Sequence, residues 1–284
     1  MDRITNSVEI RKGVLGYIVK GQKGVWYGNK PPMRERGDIS SFSRKSRQRL
    51  REFLATAKPV EPSNPFGFCF TIPGDVISPD LTRKIWHDFV KEYSRNFRHP
   101  FIWRIELQQR KQAHWHCVFF ISLTEGTRGV TFNFADAFKI KMLWEKIVWK
   151  YVGHTLSEKT ARAFFDGVGV DIKMLEGSSA TGVVGYLCDH TSKHKQVQLG
   201  WNGRQWGIVN RRALTFSTEL VGEVTLRVHT LAARQMRRLQ ECLRTRGGKY
   251  TGIRVTPAAN VSTAVFGNDA SRLLKCYDIA HNNS

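Results

Sequence analysis

Acidic residues are scarce in this sequence. Its 284 residues hold 24 Asp and Glu against 45 Lys and Arg, which gives a formal charge of +21 and a pI of about 10.1. Long hydrophobic runs are missing too. Nothing approaches the ~18 apolar residues that cross a bilayer, so no membrane association is expected. The opening stretch Met1 to Gly13 has no hydrophobic segment behind its charges, unlike a secretory signal, and a cytoplasmic location is the expectation. Cysteine is thinly used: Cys69, Cys117, Cys188, Cys242 and Cys276 are scattered and never form a CxxC pair, which speaks against a disulfide framework and a zinc ribbon. No GxxxxGKS/T phosphate loop occurs, so no nucleotide cofactor and no fused ATP-driven helicase are expected.

What is abundant is positive charge mixed with aromatics. The chain has 41% hydrophobic residues, enough for a real core, and eight Trp and seven Tyr interleaved with basic residues. A surplus of cations draws polyanions, either nucleic acid or an anionic membrane surface. The aromatics and the lack of a lipidation motif favour nucleic acid.

The order of segments predicts an α+β protein. Residues 1–65 form a basic segment with 14 Lys and Arg against 6 Asp and Glu, helical from about Ser41 to Ala57. Pro59, Pro62 and Pro65 follow, a stretch that reads as a linker and first boundary. Phe66 to Ile72 reads as a buried strand, and Leu81, Ile85, Trp86, Phe89, Val90, Tyr93 and Phe97 fall on one face of a helix from about Pro79 to Arg98. Two strands, Phe101 to Gln108 and Ala113 to Ser122, are separated by a hairpin-length connection. A second amphipathic helix, about Asn133 to Val152, carries Phe134, Phe138, Met142, Trp149 and Val152. Val168 to Leu175 alternates like a strand, and Ser178 to His194 is expected to be helical. The order β, α, β, β, α, β, α implies an antiparallel sheet with helices on one side. Beyond it, residues 213–284 form a basic helical region with a polar tail.

The stretch from Trp103 to His116 carries the chemistry. Side chains alternate along a strand, so His114 and His116 share a face while Trp115 and Cys117 take the other, where Trp115 belongs to the core. If the two strands pair through their short connection, Glu106 adds a carboxylate. The result is a three-ligand set open to substrate oxygen, suited to Mn²⁺, Mg²⁺ or Zn²⁺.

Glu106-Leu-Gln-Gln-Arg-Lys-Gln-Ala-His114-Trp-His116 resembles the pattern of the HUH superfamily of single-strand endonucleases, above all the rolling-circle replication initiators of small plasmids, filamentous phages and microviruses. Three further segments resemble family motifs in the expected order: Phe68 to Pro73, Gly185 to Lys193 with Tyr186, and Gly203-Arg-Gln-Trp-Gly207. The resemblance covers about residues 66–212, and implies a central five-stranded antiparallel sheet of ferredoxin-like or RRM-like build with basic N- and C-terminal extensions. It implies that a divalent metal on Glu106, His114 and His116 works with Tyr186 as nucleophile on single-stranded DNA or an origin hairpin, in a bacterial or phage-infected cell with host helicase and DNA polymerase as partners. A phenol with a pKa near 10 needs activation. On a helix, His190 and Lys193 lie on the face of Tyr186. The family's lysine and second tyrosine positions are here Asp189 and His190, so Lys193 is the substitute candidate for the lysine.

Two basic clusters frame this region. Arg44, Arg47 and Arg51 precede it; Arg204, Arg211, Arg212, Arg234, Arg237 and Arg238 follow, and all are expected to contact DNA phosphates. Nicking and joining at a replication origin is the leading expectation. A relaxase or transposase of the same chemistry, a non-catalytic DNA-binding regulator and a hydrolytic nuclease with Tyr186 idle are the alternatives.

Overall fold

The computed structural model describes residues 7–12, 17–21, 42–73, 78–107, 113–126, 129–131, 134–175, 204–245, 263–265 and 267–282. Within them the protein is α+β. Its centre is a five-stranded antiparallel sheet made by β4 (Ser63–Thr71), β5 (Phe101–Leu107), β6 (Ala113–Ser122), β9 (Val170–Met174) and β10 (Trp206–Val209), in the spatial order β10-β5-β6-β4-β9. The middle strand is β6, and nine of its ten residues are buried. Among the described residues no helix is long and apolar enough to cross a membrane.

Two helices return the chain across one face. The first, α2 (Pro79–Asn96), starts where Ser78 accepts from the Leu81 N–H at 3.2 Å, with Pro79 in the first turn where its missing donor costs nothing. It buries Ile85, Trp86, Phe89 and Tyr93. The second is α3 (Phe134–Val152). Between them and the sheet lies an aromatic core in which Trp86 stacks on Trp115 at 4.9 Å and Phe101 on Phe119 at 4.2 Å. Trp115 is fully buried there, on the side its strand parity demands.

Three features depart from the sequence expectation. First, α2 and α3 share one side as the order of segments predicts, but the basic N-terminal segment adds a helix on the other. Helix α1 (Arg44–Thr56) packs Leu50 and Leu54 on the opposite face, against Ile102, Val118 and Phe120. Second, the proline stretch read as a linker is occupied by the end of β3 (Ala57–Pro59) and the start of β4. Pro59 ends a short pair with β11 (Leu214–Phe216), and Pro65 stands at the end of the β4–β9 ladder, where its carbonyl accepts from the Leu175 N–H at 3.0 Å. Neither ring has to supply an interior ladder donor. Third, apart from Val152 at its end, α3 is turned the other way about. Phe134, Phe138, Met142 and Trp149 are exposed, while Ala137, Ile140, Trp144, Ile147, Val148 and Val152 are buried. Because α3 is apolar on both sides, periodicity could not pick the inner one; the indole of Trp144, which donates to the Thr71 carbonyl at 3.2 Å, finds its partner only with this orientation.

The two ends of the chain meet in a second sheet of order β12-β1-β2-β13, built from β1 (Ser7–Lys12), β2 (Tyr17–Gly21), β12 (Glu219–Thr225) and β13 (Thr263–Val265). Helices α5 (Leu226–Thr245) and α6 (Gly267–Asn282) close its core, where Val8, Ile10 and Val19 meet Ala232, Met236, Leu273 and Cys276. The remaining elements, β7 (Thr124–Gly126), β8 (Gly129–Thr131) and α4 (Glu158–Ala163), are connections.

Candidate functional site

Pairing of β5 and β6 sets Glu106 opposite His114 and Arg104 opposite His116. On the other side of β6, Thr71 stands opposite His114 and Cys69 opposite His116, and Asp171 of β9 is the next partner of Cys69. Residues in register across a sheet share a face, so a polar stripe runs over four strands on the side away from α2 and α3. It is deeply enclosed: Arg104 is 1% exposed, Glu106 4%, His114 6% and His116 8%.

Within the stripe the Glu106 Oε2 and His116 Nε2 atoms are 3.4 Å apart. An ion with bonds of about 2.1 Å holds neighbouring ligands roughly 3.0 to 3.4 Å apart, so this pair fits two adjacent ligand positions. His114 engages Thr71 Oγ1 at 3.1 Å and Cys69 Sγ at 3.5 Å through Nδ1, the kind of second bond that fixes the ring of a metal-ligating histidine and would present Nε2. Among the described residues, no group of three or more His, Cys, Asp or Glu side chains converges closely enough to form a cage. The donor types suit a divalent ion, and two of the three expected ligands stand together.

Cys69 is no nucleophile. Its thiol is pushed up to about 12, chiefly by burial and further by the negative charges of Asp171 and Glu106, so it stays a neutral donor or acceptor beside His114.

The edge of the site is formed by α1 and β10. Phe42, just ahead of α1, lies under the Arg104 guanidinium at 4.8 Å, and Ser46 accepts from the Trp206 indole at 2.8 Å. Trp206 pairs opposite Arg104, so Arg204, exposed, stands at the end of β10 that runs beside Glu106. Arg47 donates to the Phe42 carbonyl at 3.0 Å and Arg51 is half-buried on α1; of Arg44 only the backbone is described. Arg211 is held over the rings of Phe53 and Phe216 at 5.3 and 5.2 Å. Arg212 is exposed beside it, and Arg234, Arg237 and Arg238 are exposed on α5. Tyr186, His190 and Lys193 lie outside the described residues.

Arg104, Thr71, Cys69 and Asp171 were not anticipated as neighbours of the histidines. Parity alone could have supplied Arg104, two residues from Glu106 on one strand. Thr71, Cys69 and Asp171 depend on which strands flank β6, and that is a tertiary fact. No protein-family model, curated protein or solved structure matches the chain.

Proposed function

We propose that the protein nicks and rejoins single-stranded DNA at a specific site by tyrosine transesterification, and so initiates rolling-circle replication. The observation that carries the reading is the central strand β6, with His114 and His116 on one face and Glu106 in register beside them. The succession β4-α2-β5-β6-α3-β9, with β6 between β4 and β5, supports a split β-α-β, ferredoxin-like nuclease domain. The excess of Lys and Arg supports a nucleic-acid substrate.

Glu106 and His116, with His114 joining them, would hold a divalent ion, Mn²⁺ or Mg²⁺ before Zn²⁺, and that ion supplies charge neutralisation at the non-bridging oxygens of the scissile phosphate. The Tyr186 oxygen attacks the phosphorus in line. The bond to the 3′-oxygen breaks, the leaving oxygen takes up a proton, and the products are a 5′-phosphotyrosyl protein and a free 3′-OH. Lys193 and His190 serve to lower the cost of ionising the phenol. Because the phosphotyrosyl bond conserves the energy of the phosphodiester, the same site rejoins strands without a nucleotide cofactor. Unwinding and synthesis fall to a host helicase and DNA polymerase. A relaxase or transposase would share these steps.

A second reading, a non-catalytic DNA-binding regulator, is favoured by Asp189 and His190 standing in the family's Lys and Tyr positions. Incubation with origin-derived single strands and Mn²⁺ or Mg²⁺, resolved on a denaturing gel, separates them. A covalent adduct lost in Tyr186→Phe and in His116→Ala is expected. Salt-sensitive binding of the authentic origin with no adduct would leave the regulator, and cleavage that survives Tyr186→Phe would mean hydrolysis.

A further inference from the structure

The outer face of α3 is unusual for a surface helix. Phe134, Phe138, Met142 and Trp149 are exposed, and at about 100° per residue they fall within one stripe whose first three members rise about 6 Å apart. At its far end Trp149 meets the exposed ring of Phe165 at 5.3 Å. Lys141 ties the platform together: its Nζ donates to the Phe165 carbonyl at 3.3 Å, pairs with the buried Glu145 carboxylate at 2.8 Å and sits 5.8 Å from the Phe138 ring centre. Lys141 thus links the Phe165 backbone and the Phe138 ring to the buried Glu145.

The stripe continues into a cleft of about 650 Å³ between the end of α2 and the start of α3, whose walls combine Phe97, Met142 and Leu143 with Arg98, Lys139 and Lys146. Asp136, the carboxylate in this cleft, accepts from His99 Nε2 at 3.0 Å and from Lys139 at 3.1 Å. Arg98 and Lys146 have no carboxylate partner among the described residues. The helix carries four lysines against Asp136 and Glu145, and both acids are ion-paired.

We propose that this face, the α3 stripe with its adjoining basic cleft, is a second binding surface for single-stranded DNA, on the side of the sheet away from His114 and His116. It rests on the reading that the protein works on single strands. Rings that accept bases and cations that accept phosphates are the two elements of sequence-tolerant single-strand binding. A second copy of the chain is the poorer occupant, because a two-fold contact through α3 would set its lysines against one another. Such a surface would hold the displaced strand while the opposite face carries out nicking.

The test uses the full chain carrying Tyr186→Phe, so that covalent capture does not contribute, with fluorescein-labelled oligothymidine followed by anisotropy at fixed salt. Phe138→Ala/Trp149→Ala, and separately Arg98→Glu/Lys146→Glu, are each expected to weaken binding at least tenfold. In the otherwise native chain both leave adduct formation with a short nick-site oligonucleotide intact. Ultraviolet cross-links to the oligonucleotide are expected in the peptides of α3. Binding within twofold of the parent in both variants, or cross-links confined to other peptides, would overturn the proposal while the nicking reading stands. So would sedimentation showing that Phe138→Ala/Trp149→Ala turns a dimer into a monomer. A parent that binds no single strand at all would overturn both.

Discussion

Glu106 and His116 face each other at 3.4 Å in a place almost closed to water, and that enclosure decides what substitutions there do. Glu106→Gln keeps the shape and one acceptor but removes the charge a divalent ion requires. It is expected to cut adduct formation by roughly 10²-fold or more, in line with the loss of one preorganised electrostatic partner, with little change in melting temperature. A variant that melts many degrees lower would instead assign Glu106 a structural role. Cys69 offers a second test at this scale. With its thiol pushed up to about 12, it is expected to resist alkylation near pH 7.5 in the native protein, whereas the exposed Cys242 reacts. Mass mapping of labelled peptides checks this, and equal labelling of both would contradict the raised pKa of the half-buried Cys69. The alternation that brings His114 and His116 to one face was legible in the sequence because it follows from strand geometry alone. The rotation of His114 towards Thr71 was not, because Thr71 lies 43 positions away.

Element by element, legibility tracked how one-sided each pattern was. Helix α2 has a single apolar face, a serine cap and a proline in its first turn, and it lies where the spacing put it. Helix α3 offers two apolar faces, and only packing chose between them. Helix α1 was expected as a helix, but its place over the site side of the sheet comes from Leu50 and Leu54 meeting Ile102, Val118 and Phe120. Leu54→Ala is expected to cost about 2 to 5 kcal/mol, the range for emptying a buried leucine site, measured by urea unfolding. A loss below 0.5 kcal/mol would mean that α1 is not docked as described. Asn210 makes a comparable point. It is the one non-glycine residue with positive φ among the described residues, and its amide donates to the carbonyls of Phe97 and His99 at 2.9 and 3.1 Å, joining β10 to the end of α2. Asn210→Ala loses both bonds and keeps the left-handed backbone, so a destabilisation of about 1 to 3 kcal/mol is expected.

Among the described residues the four-stranded sheet and its two helices form a second core with its own pH sensitivity. His229 is fully buried in the core between α5 and α6, paired through Nδ1 with the Tyr277 hydroxyl, and burial pulls its pKa down to about 4. The folded value is depressed, so the stability it allows is fully present above the ordinary histidine range near 6.5 and is lost as pH falls from there towards 4. The loss is on the order of 3 kcal/mol at the lower end. Chemical denaturation from pH 7 to 4 should show it, and His229→Gln should flatten it; an unchanged slope would contradict the burial. Net charge acts at this scale as well. For a protein of +21, affinity for single strands is expected to fall linearly with salt on logarithmic axes, by about 0.7 for each phosphate contact.

The sequence by itself determined the local features: the charge, the helical and extended segments with one clear apolar side, and the common face of His114 and His116. These follow from residue type and backbone period, which act over a few positions. The tertiary structure alone decided which strands flank β6, that Thr71, Cys69 and Asp171 therefore border the histidines, which side of α3 is inside, and that residues near both ends of the chain share a sheet. Those outcomes rest on contacts between residues tens to hundreds of positions apart, where competing apolar faces are resolved only by which arrangement packs and satisfies its hydrogen bonds together.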